Sequence, residues 1–181
     1  NSNVTLFNIF NAVKFSKRIF NELPLLNASV LDVGSSVGTA SWISAMNGAK
    51  EFGICDIDGA PLNLAEDILK SLGKKVTKYP ISDQFVVPEF KKNTYDIALC
   101  LHVYEHTEAP LELTNKIIDS LKPGGYFVYT YYEASVADGI NTQNALINRH
   151  KVLKHLKNEL FHLKKFNLNP YNIAIKKSWI W

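Results

Sequence analysis

The stretch that decides the fold, residues 29–41, reads SVLDVGSSVGTAS. Its first half is an apolar run with β-branched residues, which is typical of a buried strand. Gly34 ends this run, Gly38 follows four residues later, and residues 39–46 are predicted to form a helix. A strand that turns through small residues into a helix leaves backbone N–H groups open to a ligand. Asp32 inside the apolar run indicates a specific use for this strand end, because an isolated buried charge is costly.

The composition is that of one globular domain. The chain has 181 residues, of which 46% are hydrophobic and 20% charged, enough for one α/β domain with its own core. A net charge of +3 permits nucleic acid as a partner but does not argue for it. No apolar run approaches the ~20 residues that span a bilayer, and the polar start lacks the pattern of a signal peptide. We therefore expect a cytoplasmic protein without a membrane span, and we do not expect nucleic acid as its partner.

Strand and helix patterns alternate along most of the chain. Apolar runs predict strands, and amphipathic segments between them predict helices. After the opening unit, the predicted strands are 51–58, 75–79, 95–101 and 126–131, and the predicted helices are 61–72 and 109–121. Pro80 is expected to end the third strand, and the Lys-Pro-Gly-Gly turn, residues 122–125, to precede the fifth. This alternation predicts an α/β fold: a doubly wound, mostly parallel sheet with helices on both faces.

The two ends of the chain are predicted to add a helix and a hairpin. Hydrophobic residues recur at helical spacing over residues 4–23, and Pro24 stops the pattern. This N-terminal helical cap, residues 1–24, either helps to choose the substrate or only covers the core. The tail is predicted to form a helix over 142–159, a strand over 160–167 and a last strand over 171–179. No linker is visible, so we expect residues 1–181 to form a single domain.

The cysteines and the tail histidines do not indicate a metal site. Cys55 and Cys100 lie in or at the end of predicted buried strands, and two cysteines make no disulfide framework. His150, His155 and His162 lack the spacing of metal ligands. We therefore expect buried thiols and no bound metal.

The opening stretch resembles the first motif of the class I S-adenosylmethionine-dependent methyltransferases, acidic-x-Gly-x-Gly-x-Gly. Asp32, Gly34 and Gly38 match this motif, and Ser36 stands in place of the central glycine. Nicotinamide-cofactor domains have a similar glycine-rich turn. The Leu-Lys-Pro-Gly-Gly segment, residues 121–125, resembles the methyltransferases and not the dehydrogenases. The resemblance implies a Rossmann-like, seven-stranded sheet with an antiparallel last strand at its edge, and S-adenosyl-L-methionine as the cofactor.

The resemblance also implies which residues hold the cofactor. They lie at or just after the carboxyl ends of the first four predicted strands: Asp32, Gly34, Ser35, Ser36 and Gly38; Asp56 and Ile57; Asp83; and Leu101. The first group would hold the methionine portion. Asp56 resembles the acid that accepts hydrogen bonds from both ribose hydroxyls, with Asp58 as a rival. Ile57 would pack on the adenine, and Asp83 would meet the adenine amino group unless it only shapes its loop.

The segment after the fourth strand, residues 102–106, reads HVYEH and resembles a segment of many small-molecule methyltransferases. Methylation of a neutral hydroxyl or a protonated amine needs a base, and histidine has a suitable pKa. His102 and His106 are therefore candidate catalytic residues, with Glu105 able to orient them or pair with their charge. Each histidine also has a structural alternative: His102 could line the cofactor site, and His106 could hydrogen-bond the start of the next helix.

These observations predict an S-adenosylmethionine-dependent methyltransferase that acts on a small molecule or metabolite, at oxygen or nitrogen. The predicted class of acceptors includes saccharides and lipid-linked molecules. Three alternatives stay open: a dehydrogenase-like NAD domain, a non-catalytic cofactor-binding module of a larger protein, and an RNA methyltransferase. Only the basic residues of the tail favour the RNA methyltransferase. The fourth strand is not followed by the Asn/Asp-Pro-Pro-aromatic motif of base methylators, which argues for a different acceptor.

Overall fold

The computed structural model describes residues 20–131, 141–165 and 172–177. The strands in these ranges are β1 (Ser29–Val33), β2 (Glu51–Ile57), β3 (Lys75–Ile81), β4 (Tyr95–Cys100), β5 (Leu121–Tyr129), β6 (Leu160–Lys165) and β7 (Asn172–Lys176). The helices are α1 (Thr39–Met46), α2 (Ala60–Ser71), a short 3₁₀ helix (Tyr104–His106), α3 (Pro110–Ser120) and α4 (Gln143–Glu159). The elements therefore alternate in the order that the sequence predicts.

The seven strands form one sheet in the order β3-β2-β1-β4-β5-β7-β6. β1 pairs in parallel with β2 and β4, and β3 and β5 extend this parallel block on either side. β7 is antiparallel to both β5 and β6. The predicted Rossmann-like fold, a mostly parallel seven-stranded sheet with an antiparallel last strand, is confirmed.

The expectation that the last strand lies at the edge of the sheet is wrong. β7 lies between β5 and β6, and β6 forms the edge. In β7, Ile173 and Ala174 are both buried and belong to hydrophobic clusters on opposite faces of the sheet. In β6, Phe161 is 59% exposed. A strand that is buried on both faces suits the interior of a sheet, whereas an exposed strand suits its edge.

Helices cover both faces of the sheet. Alternate residues of a strand point to opposite faces, so the residues of β1 and β4 separate into two hydrophobic clusters. Val30, Ile97 and Leu99 pack with residues of α1 and α2. Leu31 and Ala98 pack with residues of α3 and α4. Burial of both faces explains why these strands appear in the sequence as continuous apolar runs.

The end of β3 and the start of β5 differ from the prediction because strand pairing continues past a predicted turn. β3 continues through Pro80 to Ile81 because it is an edge strand, where a residue without an N–H group can face away from its partner. The Lys-Pro-Gly-Gly sequence, residues 122–125, lies inside β5 as an irregularity in the pairing with β4. In both places the pairing of strands overrides a local turn signal.

The chain order reverses between β1 and β4, with β2 and β3 on one side and β5 on the other. In open α/β sheets, ligands bind at the carboxyl ends of the strands beside this point.

The predicted helix over 4–23 falls mostly outside the described residues, as do parts of the two predicted tail strands. None of the described helices is both long enough and apolar enough to cross a membrane.

Candidate active site

A cavity of about 450 Å³ opens at the carboxyl ends of β1, β2 and β4. This volume falls within the range of ~300–1,000 Å³ that is typical of small-molecule and cofactor sites. Strand ends, the loop after β3 and the segment after β4 supply its lining: Val33, Gly34, Ser36, Cys55, Asp56, Ile57, Ile81, Gln84, Val86, Pro88, His102, Val103, His106, Thr107 and Leu113. The fold therefore places a ligand-sized space where the chain order reverses.

The cavity brings together half of the predicted site residues. Those in its lining are Gly34, Ser36, Asp56, Ile57, His102 and His106. Those outside its lining are Asp32, Ser35, Gly38, Asp83, Leu101 and Glu105. The second group divides into residues that support the lining and residues that lie in the core or on a neighbouring loop.

The glycines of the turn after β1 allow close packing within the chain. Gly34 and Gly38 have φ angles of +73° and +79°, which residues with a Cβ rarely adopt. A Cβ on Gly34 would lie 2.2 Å from Cγ2 of Val103, and a Cβ on Gly38 would lie 2.8 Å from Cβ of Ala65. Ser36 also has a positive φ, of 49°, in place of the motif's central glycine. The glycines therefore fix the shape of the turn, with Gly34 and Ser36 at the cavity wall.

Asp32 stabilises the start of α1. Its side chain is 3% exposed, and its Oδ2 accepts hydrogen bonds from the Ser41 N–H at 3.1 Å and the Ser41 hydroxyl at 2.6 Å. Because the N-cap residue Gly38 has no side chain to accept these bonds, the preceding strand supplies the acceptor. Burial raises the pKa of Asp32 to about 6, although the hydrogen bonds from Ser41 lower it. The charge inside the apolar strand thus serves the helix.

Asp56 lies at the cavity beside the glycine turn. Its Oδ2 accepts a hydrogen bond from the Ser36 N–H at 2.6 Å, and its Oδ1 accepts one from the Ile57 N–H at 2.7 Å. Ile57 is 51% exposed and also lines the cavity. The rival Asp58 is exposed and does not belong to the lining. Asp56 is therefore better placed than Asp58 to contact a ligand in the cavity. Its oxygens can still accept hydrogen bonds from that ligand, because each has two lone pairs.

The segment after β4 contributes both histidines to the lining. His102 has an uncommon φ of 58°, and its N–H donates a hydrogen bond of 2.7 Å to Oγ1 of Thr130. Burial lowers the pKa of His102, while Glu105 raises it and His106 lowers it further. His102 is therefore mainly neutral at neutral pH and can accept a proton.

Glu105 and Ser35 carry buried polar atoms next to the cavity-lining residues. Glu105 is 6% exposed, and its Oε1 lies 3.8 Å from Nδ1 of His102. The Oε2 of Glu105 and the hydroxyl of Ser35 are buried and have no hydrogen-bond partner among the described residues. Such atoms are uncommon because they cost free energy, and each calls for an explanation. Their position in the two segments predicted for cofactor binding and catalysis fits a site that receives a polar ligand.

Residues 102–106, the histidine segment, are held in place by contacts with α3 and with the start of α4. The Thr142 N–H donates to the Glu105 carbonyl at 2.9 Å, and the Thr142 hydroxyl donates to the Thr107 carbonyl at 3.0 Å. The hydroxyls of Tyr104 and Thr114 lie 2.8 Å apart. These supports join residues that are distant along the chain, so no local sequence pattern predicts them.

The loop between β3 and β4 supplies a wall of the cavity through residues other than Asp83, the one residue of this loop that the sequence predicts at the site. Gln84, Val86 and Pro88 line the cavity, although this irregular segment shows no periodic pattern. Asp83 lies outside the lining, and its Oδ1 accepts a hydrogen bond from the Phe85 N–H at 2.9 Å. This contact matches the alternative in which Asp83 shapes its loop, so a role toward adenine stays a prediction. Leu101 packs against the cluster under α1 and α2.

The two cysteines are buried free thiols, as predicted. Burial raises the pKa of Cys55 to about 12, so this cavity-lining thiol stays protonated. Within residues 20–131, 141–165 and 172–177, no three side chains of the metal-ligating types lie close enough together to hold an ion.

Comparison with known proteins identifies related sequences. Residues 11–171 match the methyltransferase domain family. The ubiquinone biosynthesis O-methyltransferase of Vibrio cholerae serotype O1 is 29% identical over 130 residues, which are 72% of this chain and 51% of the relative. The protein of the same name from Nitrosospira multiformis is 30% identical over 106 residues, 59% of this chain and 44% of the relative. The chain thus spans about half the length of the curated relatives it matches.

Solved structures share the fold at low sequence identity. A SAM-dependent methyltransferase from Aquifex aeolicus superposes with a TM-score of 0.62 and 16% identity, over 89% of this chain and 88% of that chain. The [4+2]-cyclase SpnF superposes with a TM-score of 0.65 and 19% identity, over 83% of this chain and 58% of that chain. One of these proteins is named a methyltransferase and the other a cyclase, so the fold alone does not determine the chemistry.

Proposed function

The chain belongs to the methyltransferase domain family, and we propose that it transfers a methyl group from S-adenosylmethionine to an oxygen or nitrogen atom of a small molecule. The observation that carries this proposal is the cavity, which combines a glycine turn, an acid and two histidines at one edge of the sheet. The name of the curated relatives, O-methyltransferase, supports an oxygen atom as the acceptor. The proposed acceptor is therefore a small hydroxyl compound, a class that includes saccharides and lipid-linked metabolites.

The residues of the cavity fit the cofactor. Asp56 would hold the ribose, because a carboxylate with two oxygens matches two neighbouring hydroxyls. Ile57 and Val86 offer an apolar wall to the adenine. The backbone at Gly34 and Ser36, both of which line the cavity, would lie along the methionine portion. When bound, the cofactor supplies a methyl group on a positively charged sulfur, where it is activated for transfer.

The histidines of the proposed site would manage the proton of the acceptor. A neutral imidazole can take the proton from a hydroxyl as the oxygen becomes methylated. The lowered pKa of His102 keeps its imidazole neutral, and the carboxylate of Glu105 lies on its Nδ1 side at 3.8 Å. Glu105 would therefore favour the tautomer with a proton on Nδ1, leaving Nε2 as the acceptor of the proton. His106 is the second candidate for this role.

Titration calorimetry with S-adenosylhomocysteine and with NAD tests the cofactor assignment. We expect S-adenosylhomocysteine to bind and NAD not to bind. Asp56→Ala should weaken binding by about 1.5–3 kcal/mol, the scale of hydrogen bonds to a charged group. Asp58→Ala is the matched control, because it removes an acid two residues away that does not line the cavity. Equal losses for the two variants, or binding of NAD alone, would contradict the assignment.

A second experiment tests the catalytic role. Methyl-labelled S-adenosylmethionine is incubated with a panel of small hydroxyl and amine compounds, and transfer of the label is measured. His106→Ala and His102→Gln should leave the affinity for S-adenosylhomocysteine within about twofold, and at least one of them should slow transfer by about 10²-fold or more. Normal transfer by both variants would assign the histidines a structural role. Cofactor binding without transfer to any compound would favour the non-catalytic module.

A further inference from the structure

The loop of residues 82–94 has two halves that are anchored differently. In the second half, Phe90 is buried with its ring 5.1 Å from the ring of Tyr79. The N–H groups of Asn93 and Thr94 donate to the carbonyls of Asp119 and Ser120, the last two residues of α3, at 2.9 and 2.8 Å. The first half, residues 83–88, contains the residues that line the cavity. A backbone bond from the Glu108 N–H to the Gln84 carbonyl, at 3.3 Å, connects this half to the histidine side of the site.

Lys116 of α3 binds the middle of this loop. Its Nζ pairs with the carboxylate of Glu89 and lies 3.5 Å from the carbonyl oxygen of Val87, which neighbours two lining residues. The same Nζ lies 3.2 Å from Oε1 of Glu112, one helical turn earlier. The Lys116 side chain is 21% exposed and does not belong to the cavity lining. One cation thus joins the wall formed by the loop to the helix that follows the histidine segment.

We propose that Lys116 is a positioning residue for the cofactor: by holding Val87 and Glu89 against α3, it keeps residues 84–88 where they complete the cavity. This inference rests on the proposed function, since the ligand in question is S-adenosylmethionine. Lys116 contacts the loop and not the cavity, so it acts on affinity through the loop. If the loop is in its binding position for only a fraction of the time, the apparent affinity for the cofactor is reduced to that fraction of its full value.

The two acids around Lys116 provide a matched comparison. Glu89 belongs to the loop, and Glu112 belongs to α3 together with Lys116 itself. Removing the charge of Glu89 breaks the connection between loop and helix. Removing the charge of Glu112 leaves this connection intact. A general effect of surface charge would be similar for both acids, whereas the proposed effect requires Glu89.

The experiment measures S-adenosylhomocysteine binding by calorimetry and loop opening by hydrogen exchange in the ligand-free protein. Lys116→Met and Glu89→Gln should each weaken binding about three- to fivefold, because Glu89 is 79% exposed and an exposed ion pair contributes little, and Glu112→Gln should change it less than about twofold. In the ligand-free Lys116→Met variant, the amides of residues 84–87 should exchange faster, with an unchanged urea midpoint. Once an acceptor is known, the KM for S-adenosylmethionine should rise while kcat stays the same.

Unchanged affinity in Lys116→Met, or equal losses in Glu89→Gln and Glu112→Gln, would overturn the proposal. Unchanged exchange of the loop amides would also overturn it, independently of any ligand. Failure of the unsubstituted protein to bind S-adenosylhomocysteine would refute the proposed cofactor instead, so the two failures are distinguishable.

Discussion

Asp32 makes the stability of the protein depend on pH in an unusual direction. Asp32 is 3% exposed, and burial raises the pKa of its carboxyl from 3.8 to about 6. Since each pKa unit is worth about 1.4 kcal/mol, folding disfavours the ionised form by about 3 kcal/mol. The folded protein keeps this proton to higher pH than the unfolded chain does. The contribution to stability is therefore complete below about pH 4 and is lost as the pH rises through about 6.

Urea unfolding of the wild type and of Asp32→Asn between about pH 4 and about pH 8 measures this effect. Asparagine keeps a carbonyl oxygen for the two donors of Ser41 but does not ionise, so the difference between the two proteins isolates Asp32. The wild type should lose about 3 kcal/mol relative to the variant across this range. Asp32→Ala, which leaves both donors unpartnered, should be destabilised by about 1–3 kcal/mol. A constant difference, or a wild type that gains stability relative to Asp32→Asn as the pH rises, would refute the reasoning.

Two further predictions concern the walls of the cavity. Gly34→Ala should lower the free energy of unfolding in urea by about 2–4 kcal/mol, because Gly34 has a positive φ and its new Cβ would clash with Val103. Adding Val103→Ala to this variant should remove the clash but not the backbone strain, so it should recover only part of the lost stability. If His102 is the base, kcat/KM should rise with pH through a pKa below 6.5 and then stay level, because burial lowers the pKa of His102. Glu105→Gln should move this inflection to lower pH, since Glu105 raises that pKa; an inflection that stays in place would exclude the pairing.

The sequence contained most of the fold because the signals are local. Apolar runs, amphipathic spacing and the glycine turn after β1 locate the first four parallel strands and their helices within a few residues. The position of β7 between β5 and β6 was not predictable in this way, since it depends on which strands bury both faces. The same holds for β3, where only the edge position explains why Pro80 is tolerated.

The candidate site was predictable where it follows strand ends. Gly34, Asp56 and His102 meet because parallel strands bring their carboxyl ends to one edge of the sheet. The contribution of residues 84–88 is not predictable from the sequence, since an irregular loop has no periodic pattern from which to infer its path. The sequence shows that Asp32 is a charged residue in an apolar strand. Its hydrogen bond from Ser41 depends on how β1 and α1 pack together, which the sequence does not show.

The central claim is that S-adenosylmethionine binds at the ends of β1, β2 and β4. A crystal structure of the protein soaked with S-adenosylhomocysteine tests it most directly. We expect the ligand in the cavity, with its ribose hydroxyls on the carboxylate of Asp56 and its methionine portion along Gly34 and Ser36. Density for the ligand elsewhere, or a cavity closed by side chains under saturating ligand, would contradict it.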